Sequence, residues 1–131
     1  MRISPRPGLI WGSLAFYCLL VFIASAMSSV PSELNRLPDY VLHAIEYFLM
    51  GLLAHIAFRQ RPLSYGPIMA GLMAVIFCLA FAATDEFHQY FVKGRDASFR
   101  DIGADVVGAA LAQAIIFTFR RIRSTRARRR Y

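Results

Sequence analysis

The chain has 131 residues, 57% of them hydrophobic, and a mean hydropathy of +0.46. This composition is too apolar for an ordinary soluble domain of this length and indicates a membrane protein. The net charge of +7 does not by itself indicate nucleic-acid binding, because the distribution of the basic residues is more informative than their sum. Cys18 and Cys78 both lie within apolar runs, where we expect small core residues and not a disulfide or metal ligands.

Four apolar stretches approach the roughly 20 residues that a helix needs to cross a bilayer. They cover residues 8–27, 40–58, 65–83 and 102–119. None alternates apolar and polar residues as membrane-barrel strands do, which leaves helices as the way to satisfy the backbone in lipid. We therefore predict an all-α integral membrane protein, a four-transmembrane-helix bundle that forms a single domain over residues 1–131.

The first apolar stretch has two interpretations. It ends in Ala24-Ser25-Ala26 and follows Arg2 and Arg6, an arrangement that resembles a signal-peptidase site. Its apolar core is longer than the roughly 7–15 residues of a signal peptide. We expect a retained first helix, with cleavage as the alternative.

Basic residues concentrate at one end of the predicted bundle. They are Arg2, Arg6, Arg59, Arg61 and the arginines of the tail at residues 120–131. The positive-inside rule predicts that this end, with both chain termini, faces the cytoplasm. The tail is then expected to be a topology anchor, although it could also bind anionic lipid.

Acidic residues concentrate at the other, outer end. They are Glu33, Asp39, Glu46, Asp85, Glu86, Asp96, Asp101 and Asp105. Acidic residues contribute little to topology, so membrane insertion does not require this partition. It therefore indicates a polar site.

In the second helix, Asp39, His43, Glu46 and Tyr47 recur at helical spacing and share one face. His43 and Glu46 lie within the predicted span, where ionisable groups should face the bundle interior or a water-filled cavity. The alternative is a hydrogen-bonded pair that only fixes helix packing. His55, near the other end, is expected at the membrane interface.

The third helix ends with Asp85, Glu86 and Gln89, which could form either an exposed helix end or one side of the site. In the fourth helix Asp101, Asp105 and Gly108 share a face, with the glycine allowing close helix contact. Asp101 could alternatively cap the helix start. Further small residues widen the expected contact surface: Gly103, Ala104, Ala109, Ala110 and Ala112.

These helices bring acidic faces to one end, and the last connection adds Arg95 and Arg100. Either arginine could pair with a carboxylate or bind an external anion, since guanidinium matches carboxylate and phosphate geometry.

The polar positions occur in a specific order: Asp39, His43, Tyr47, the run Asp85-Glu86-x-x-Gln89, Arg95, Ser98, Asp101, Asp105 and Gly108. This pattern, within residues 37–112, resembles the VanZ-like family of small bacterial membrane proteins. The chain departs from it at Tyr40, commonly lysine, at Asp105, often asparagine, and at Ala112, a glycine position. The resemblance implies a multi-pass protein of the bacterial inner membrane, from a family with members linked to resistance to teicoplanin and other glycopeptides.

Two classes of function remain. In the first, the outer site binds a cell-envelope lipid, a cell-wall lipid precursor or a lipoglycopeptide. The expected ligand-binding residues are Asp39, His43, Tyr47, Gln89, Arg95, Arg100, Asp101 and Asp105.

In the second class, the protein is an enzyme acting on a lipid-linked envelope substrate, with His43 or Glu46 as acid or base. Asp85 and Glu86 are further catalytic candidates and, with Asp105, could hold a divalent cation such as magnesium, manganese or calcium. Common catalytic motifs, such as a P-loop or H-E-x-x-H, are missing from the sequence. Binding is therefore favoured, with membrane lipids and not nucleic acid as partners.

Overall fold

The computed structural model describes residues 6–27, 37–95 and 97–128. Its helices are α1 (Pro7–Ser25), α2 (Asp39–Phe58), α3 (Pro67–Gln89) and α4 (Phe99–Arg128). The described residues contain no strand, and all four helices are long and apolar enough to cross a membrane. The predicted all-α bundle of four such helices is confirmed. Two of the acidic residues singled out above, Glu33 and Asp96, lie outside the described residues.

Local sequence explains where the helices begin. Pro7 and Pro67 occupy the first turns of α1 and α3. Proline is favoured there because backbone N–H groups in the first turn of a helix make no hydrogen bond within the helix, so the lack of an N–H costs nothing. At the start of α4 the Arg100 N–H donates to Ser98 Oγ at 3.1 Å. Ser98 is thus the N-cap, and Asp101 lies in the first turn of α4, where the helix dipole favours its carboxylate.

Two helices are longer than the apolar pattern indicates. α3 continues to Gln89 and α4 to Arg128, beyond the ends of the apolar stretches at residues 83 and 119. The end of α3 agrees with the prediction that Asp85, Glu86 and Gln89 belong to the third helix. Polar side chains in the last turns of α3 are buried by neighbouring helices, so the helix does not stop where the apolar run stops. The 30 residues of α4 span about 45 Å, more than the roughly 30 Å of a hydrocarbon core.

α2 lies at the centre of the bundle and packs against the other three helices, most extensively against α4. A Cβ atom at Gly108 would collide with the carbonyl group of Ala44, and one at Gly51 would lie 3.1 Å from Ala109 Cα. The close contact predicted at Gly108 is confirmed. Gly103 and Ala110 are exposed, so the expected small-residue surface does not extend to them.

Consecutive helices run in opposite directions and give the bundle two chemically different ends. The polar end contains the last turns of α1 and α3 and the first turns of α2 and α4. At the basic end, Trp11 Nε1 of α1 donates to the Arg61 carbonyl oxygen at 3.1 Å. The prediction that the basic end faces the cytoplasm remains a prediction.

Small side chains fill much of the interior between the ends. Ala54, Ala74 and Ala82 are fully buried, and Met50 fills a central position. Cys78 is a buried free thiol, and Cys18 is half-buried and free. Both cysteines therefore have the packing role predicted for them.

Candidate functional site

Besides Ser25 of α1, six buried polar side chains lie at the polar end and are called the polar cluster here: His43, Asp85, Glu86, Gln89, Asp101 and Asp105. They come from α2, α3 and α4. The structure therefore brings the predicted polar faces of these three helices to one end of the bundle.

The interaction between His43 and Asp105 joins α2 to α4. Nδ1 of His43 lies 3.0 Å from Oδ1 of Asp105, and both side chains are buried. Glu46, the acidic neighbour of His43 in sequence, is only half-buried. The alternative considered for His43 and Glu46, a hydrogen-bonded pair that fixes helix packing, therefore holds for His43 with another partner, Asp105 of α4.

Asp85 of α3 is hydrogen-bonded to one residue of α1 and to another residue of α3. Its Oδ1 accepts a hydrogen bond from Ser25 Oγ at 2.5 Å, and its Oδ2 accepts one from Gln89 Nε2 at 3.2 Å. The spacing of four residues predicts that Gln89 lies beside Asp85, whereas the sequence pattern indicates only a cleavage-like sequence at Ser25. A serine in the last turn of an otherwise apolar helix was the available signal.

Glu86 lies between α3 and the start of α4. The side chain is only 5% exposed, and Oε2 accepts the Ser98 backbone N–H at 2.8 Å. Its other oxygen, Oε1, is buried without a hydrogen-bond partner among the described residues. Because Asp85 and Glu86 are both buried, an exposed helix end is excluded for them.

A cavity of about 410 Å³ opens beside Glu86 at the polar end. Glu86 and Ser98 are the polar residues of its lining, and Phe87, Tyr90 and Phe99 surround them. The three aromatic side chains are strongly exposed, as in the aromatic belts at membrane–water interfaces. This cavity connects the Glu86 side of the polar cluster with the outside of the bundle.

Tyr47 lies one turn below His43 on α2. It is fully buried, and its hydroxyl has no hydrogen-bond partner among the described residues. Buried polar atoms without partners are rare in folded proteins and mark positions where a further polar group is expected. Tyr47 Oη and Glu86 Oε1 are two such atoms near one end of the bundle.

A second arrangement involves Asp39, His43 and Asp101. One ligand atom of each lies within 4.8 Å of the others, which is close enough for a shared cation. The trio predicted from sequence was different, and its members Asp85, Glu86 and Asp105 each have a hydrogen bond of their own. Their assignment to a metal stays a prediction.

The two arginines of the last connection have different surroundings. Arg95 Nη1 lies 3.6 Å from Asp39 Oδ2, and its Nε donates to the Met27 carbonyl oxygen at 3.1 Å. The Arg100 guanidinium lies 4.2 Å from the ring centroid of Tyr40. Arg95 therefore ties the connection to the ends of α1 and α2, whereas Arg100 stacks on the outer surface of α2.

A further polar pair lies toward the basic end. His55 Nδ1 is 2.8 Å from Gln113 Oε1, and Gln113 Nε2 donates to the Gly51 carbonyl oxygen at 3.1 Å. His55 is only 4% exposed, so its side chain faces the bundle interior, and its predicted level at the membrane interface stays a prediction. The partner that keeps His55 inside the bundle is Gln113, a single amide in an apolar helix that no sequence spacing connects to His55.

The fold and the site together define a small multi-pass membrane protein with a buried acidic and imidazole cluster at one end. Residues 39–120 match the VanZ/LLP1 family, and the chain belongs to this family. The match covers α2, α3 and most of α4, the three helices that carry the polar cluster. Comparisons with curated proteins and with solved structures gave no significant match.

Proposed function

We propose that the polar cluster binds the polar part of a cell-envelope lipid or of a lipid-linked wall precursor, at the outer face of the bacterial cytoplasmic membrane. We further propose that this binding contributes to resistance against glycopeptide or lipoglycopeptide antibiotics. The observation that carries the proposal is Glu86, a buried carboxyl group with one unpartnered oxygen that lines a cavity of about 410 Å³.

The energetic cost of this arrangement supports binding. An ionisable side chain near the lipid region is expensive unless it is paired or faces a cavity. Ser98 satisfies one oxygen of Glu86, and the other is buried without a partner among the described residues. A ligand hydroxyl or amine that reached it from the adjoining cavity would satisfy it. A lipid approaching through the bilayer would bring such groups to the level of the exposed aromatic rings around the cavity.

The test is a binding measurement with the purified chain in nanodiscs, using a fluorescent lipid-linked wall precursor. Glu86→Gln and Asp101→Asn keep the side-chain shape and remove a charge, so each should weaken binding about tenfold or more, the range expected for a lost charged hydrogen bond. Thermal stability should change little in Glu86→Gln, because the amide oxygen of the introduced glutamine can still accept the Ser98 N–H.

His55→Gln is the matched control, because it alters another buried polar pair between helices, that of α2 with α4, at the opposite end of the bundle. Precursor binding should be unchanged in this variant. Equal weakening by His55→Gln and Glu86→Gln, or loss of folding in both Glu86→Gln and Asp101→Asn, would favour a purely structural polar network.

The resistance part of the proposal has its own test. Expression of the chain in a teicoplanin-sensitive bacterium should raise the inhibitory concentration of teicoplanin, and Glu86→Gln should abolish the increase at equal membrane abundance. An increase that persists in Glu86→Gln would separate resistance from the polar cluster.

A metal-dependent enzyme is the second candidate, supported by the Asp39, His43 and Asp101 group. Metal-binding histidines usually have their second ring nitrogen bonded to a carboxylate or carbonyl, and Asp105 makes this contact with His43 Nδ1. Nε2 of His43 would then be the metal ligand. One imidazole with two carboxylates suits Mn²⁺ or Zn²⁺ better than Mg²⁺.

Elemental analysis of protein dialysed against Mn²⁺ or Zn²⁺ tests this candidate, together with incubation of labelled envelope lipids with and without the cation. A stoichiometric metal lost in Asp101→Asn and a new lipid product that requires the cation would support the enzyme. Binding of the lipid without any product would support the first proposal instead.

A further inference from the structure

A second cavity lies on the outside of the bundle, between α2 and α4. It has a volume of about 840 Å³ and is lined by none of the polar-cluster residues. Small residues form part of it, including Ala44 on α2 and Gly103 and Ala104 on α4, while Val107 and Leu111 continue it along α4. The lining is almost entirely apolar.

The groove has one charged end. Arg100 lies at the polar end of the lining, with its guanidinium 4.2 Å from the ring centroid of Tyr40. Stacking on an aromatic face stabilises a guanidinium and fixes its position. Arg100 forms no salt bridge with a carboxylate in the described part of the chain, and its side chain is exposed. It is therefore placed to bind an anion at the mouth of the groove.

The dimensions of the groove match one leaflet of a bilayer. From Tyr40 to Leu49 on α2 is about 14 Å, and from Arg100 to Leu111 on α4 about 16 Å, at about 1.5 Å per helical residue. Half of a hydrocarbon core of about 30 Å is about 15 Å. A groove of this length would hold one acyl chain of a lipid whose phosphate lies at the level of Arg100.

We propose that the groove between α2 and α4 is a binding site for an anionic phospholipid, with one acyl chain along Gly103, Ala104 and Val107 and its phosphate on Arg100. The apolar length of the groove suits an acyl chain, and its cationic end suits a phosphate, since guanidinium matches phosphate geometry. Together they determine the chemical class of the ligand. The site goes beyond the proposed function, because it lies on another surface and is independent of what the polar cluster binds.

Gly103 permits a specific test. No atom lies within 4 Å of the position that its Cβ would occupy, so Gly103→Leu should fill the groove without disturbing the helix contact. Ala110→Leu is the matched control, because it adds bulk to the same helix at an exposed position outside the groove. Arg121→Gln controls for Arg100→Gln by removing an exposed arginine at the basic end.

The experiment is native mass spectrometry of the purified full chain titrated with phosphatidylglycerol, with diacylglycerol as the lipid that lacks phosphate. Wild type should bind one phosphatidylglycerol at least tenfold more tightly than diacylglycerol. Gly103→Leu and Arg100→Gln should each lose about tenfold or more in phosphatidylglycerol affinity, whereas Ala110→Leu, Arg121→Gln and Glu86→Gln should retain it.

Equal affinity for diacylglycerol, or unchanged binding in Gly103→Leu, would overturn the proposal. A dimer mass that disappears in Gly103→Leu would also overturn it and assign the groove to a second copy of the chain. Because Glu86→Gln tests only the polar cluster, failure of the proposed function and failure of this site give different results.

Discussion

Two hydrogen bonds of the polar cluster join different helices. His43 is bonded to Asp105, and Asp85 to Ser25, so α2 is joined to α4 and α3 to α1. Such pairs are costly to break, because the remaining partner is left buried and unsatisfied. The polar groups at this end therefore hold the helices in position as well as forming a candidate site.

Replacing Asp105 by leucine tests the structural share of the cluster. Asp105→Leu removes the partner of a buried histidine and should lower the free energy of unfolding by about 1–3 kcal/mol. Asp105→Asn keeps an oxygen that can accept from His43 Nδ1 and should cost less. Unfolding in a titration with a denaturing detergent measures both. Equal losses in the two variants would contradict a stabilising role of the hydrogen bond.

Spacing alone could identify some of these residues but not their partners. The positions of His43 and Tyr47 on one face of a helix follow from the sequence, because helical periodicity is local. The hydrogen-bond partners of Ser25 and Gln113 could not be predicted, since each partner lies about 60 positions away in the sequence, on another helix. Which polar residues become partners depends on the packing of whole helices.

At the scale of elements, the contact between α2 and α4 is the main determinant of the site. It positions His43 against Asp105, and it depends on the lack of a side chain at Gly108, which lies against the backbone of Ala44 and Phe48. The apolar groove lies beside the same contact. The small residues of α4 thus determine both the closeness of the helices and the shape of the outer surface.

Gly108→Ala should be strongly destabilising, because its methyl group would collide with the backbone of α2, which cannot move as a flexible side chain can. We expect a loss of about 1–3 kcal/mol, the range for overpacking of a core. Gly103→Ala on the same helix has open space and should be neutral or stabilising, because alanine favours helix formation over glycine. Thermal unfolding in detergent compares them, and similar midpoints would contradict the close contact.

The four helices could be predicted because each corresponds to one continuous apolar stretch of the sequence that is long enough to cross a bilayer. Prolines at residues 7 and 67 also mark the starts of α1 and α3. Hydropathy does not predict the last part of α3, because it decreases where the polar residues begin. The helical spacing of Asp85 and Gln89 predicts it instead. Burial of Asp85 and Gln89 by other helices keeps this last part helical.

At the scale of the whole molecule, charge is divided between the two ends. Of the described acidic residues, Asp39, Asp85, Glu86, Asp101 and Asp105 lie toward the polar end, and the arginines after α2 and in the last part of α4 lie toward the basic end. The positive-inside rule then predicts that the polar end is outside. The proposed ligands require this orientation, because wall precursors are used at the outer surface.

Labelling with a membrane-impermeant maleimide on intact cells tests the orientation. Lys93→Cys, exposed at the polar end, should be labelled, whereas Ser124→Cys, exposed in the basic part of α4, should be labelled only after the membrane is permeabilised. The wild-type chain is the control for its cysteines, Cys18 and Cys78, which lie within the bundle. Labelling of Ser124→Cys alone on intact cells would reverse the orientation.

The most direct test is to crosslink a wall-precursor lipid, with a photoreactive group at its polar end, to the chain in nanodiscs and to map the modified peptides. Crosslinks should concentrate in residues 84–101, around the Glu86 cavity, and should decrease with excess unlabelled precursor and in Glu86→Gln. Crosslinks confined to residues 59–66 or 120–128, or equal labelling by a lipid with the photoreactive group but no precursor headgroup, would contradict binding at the polar end.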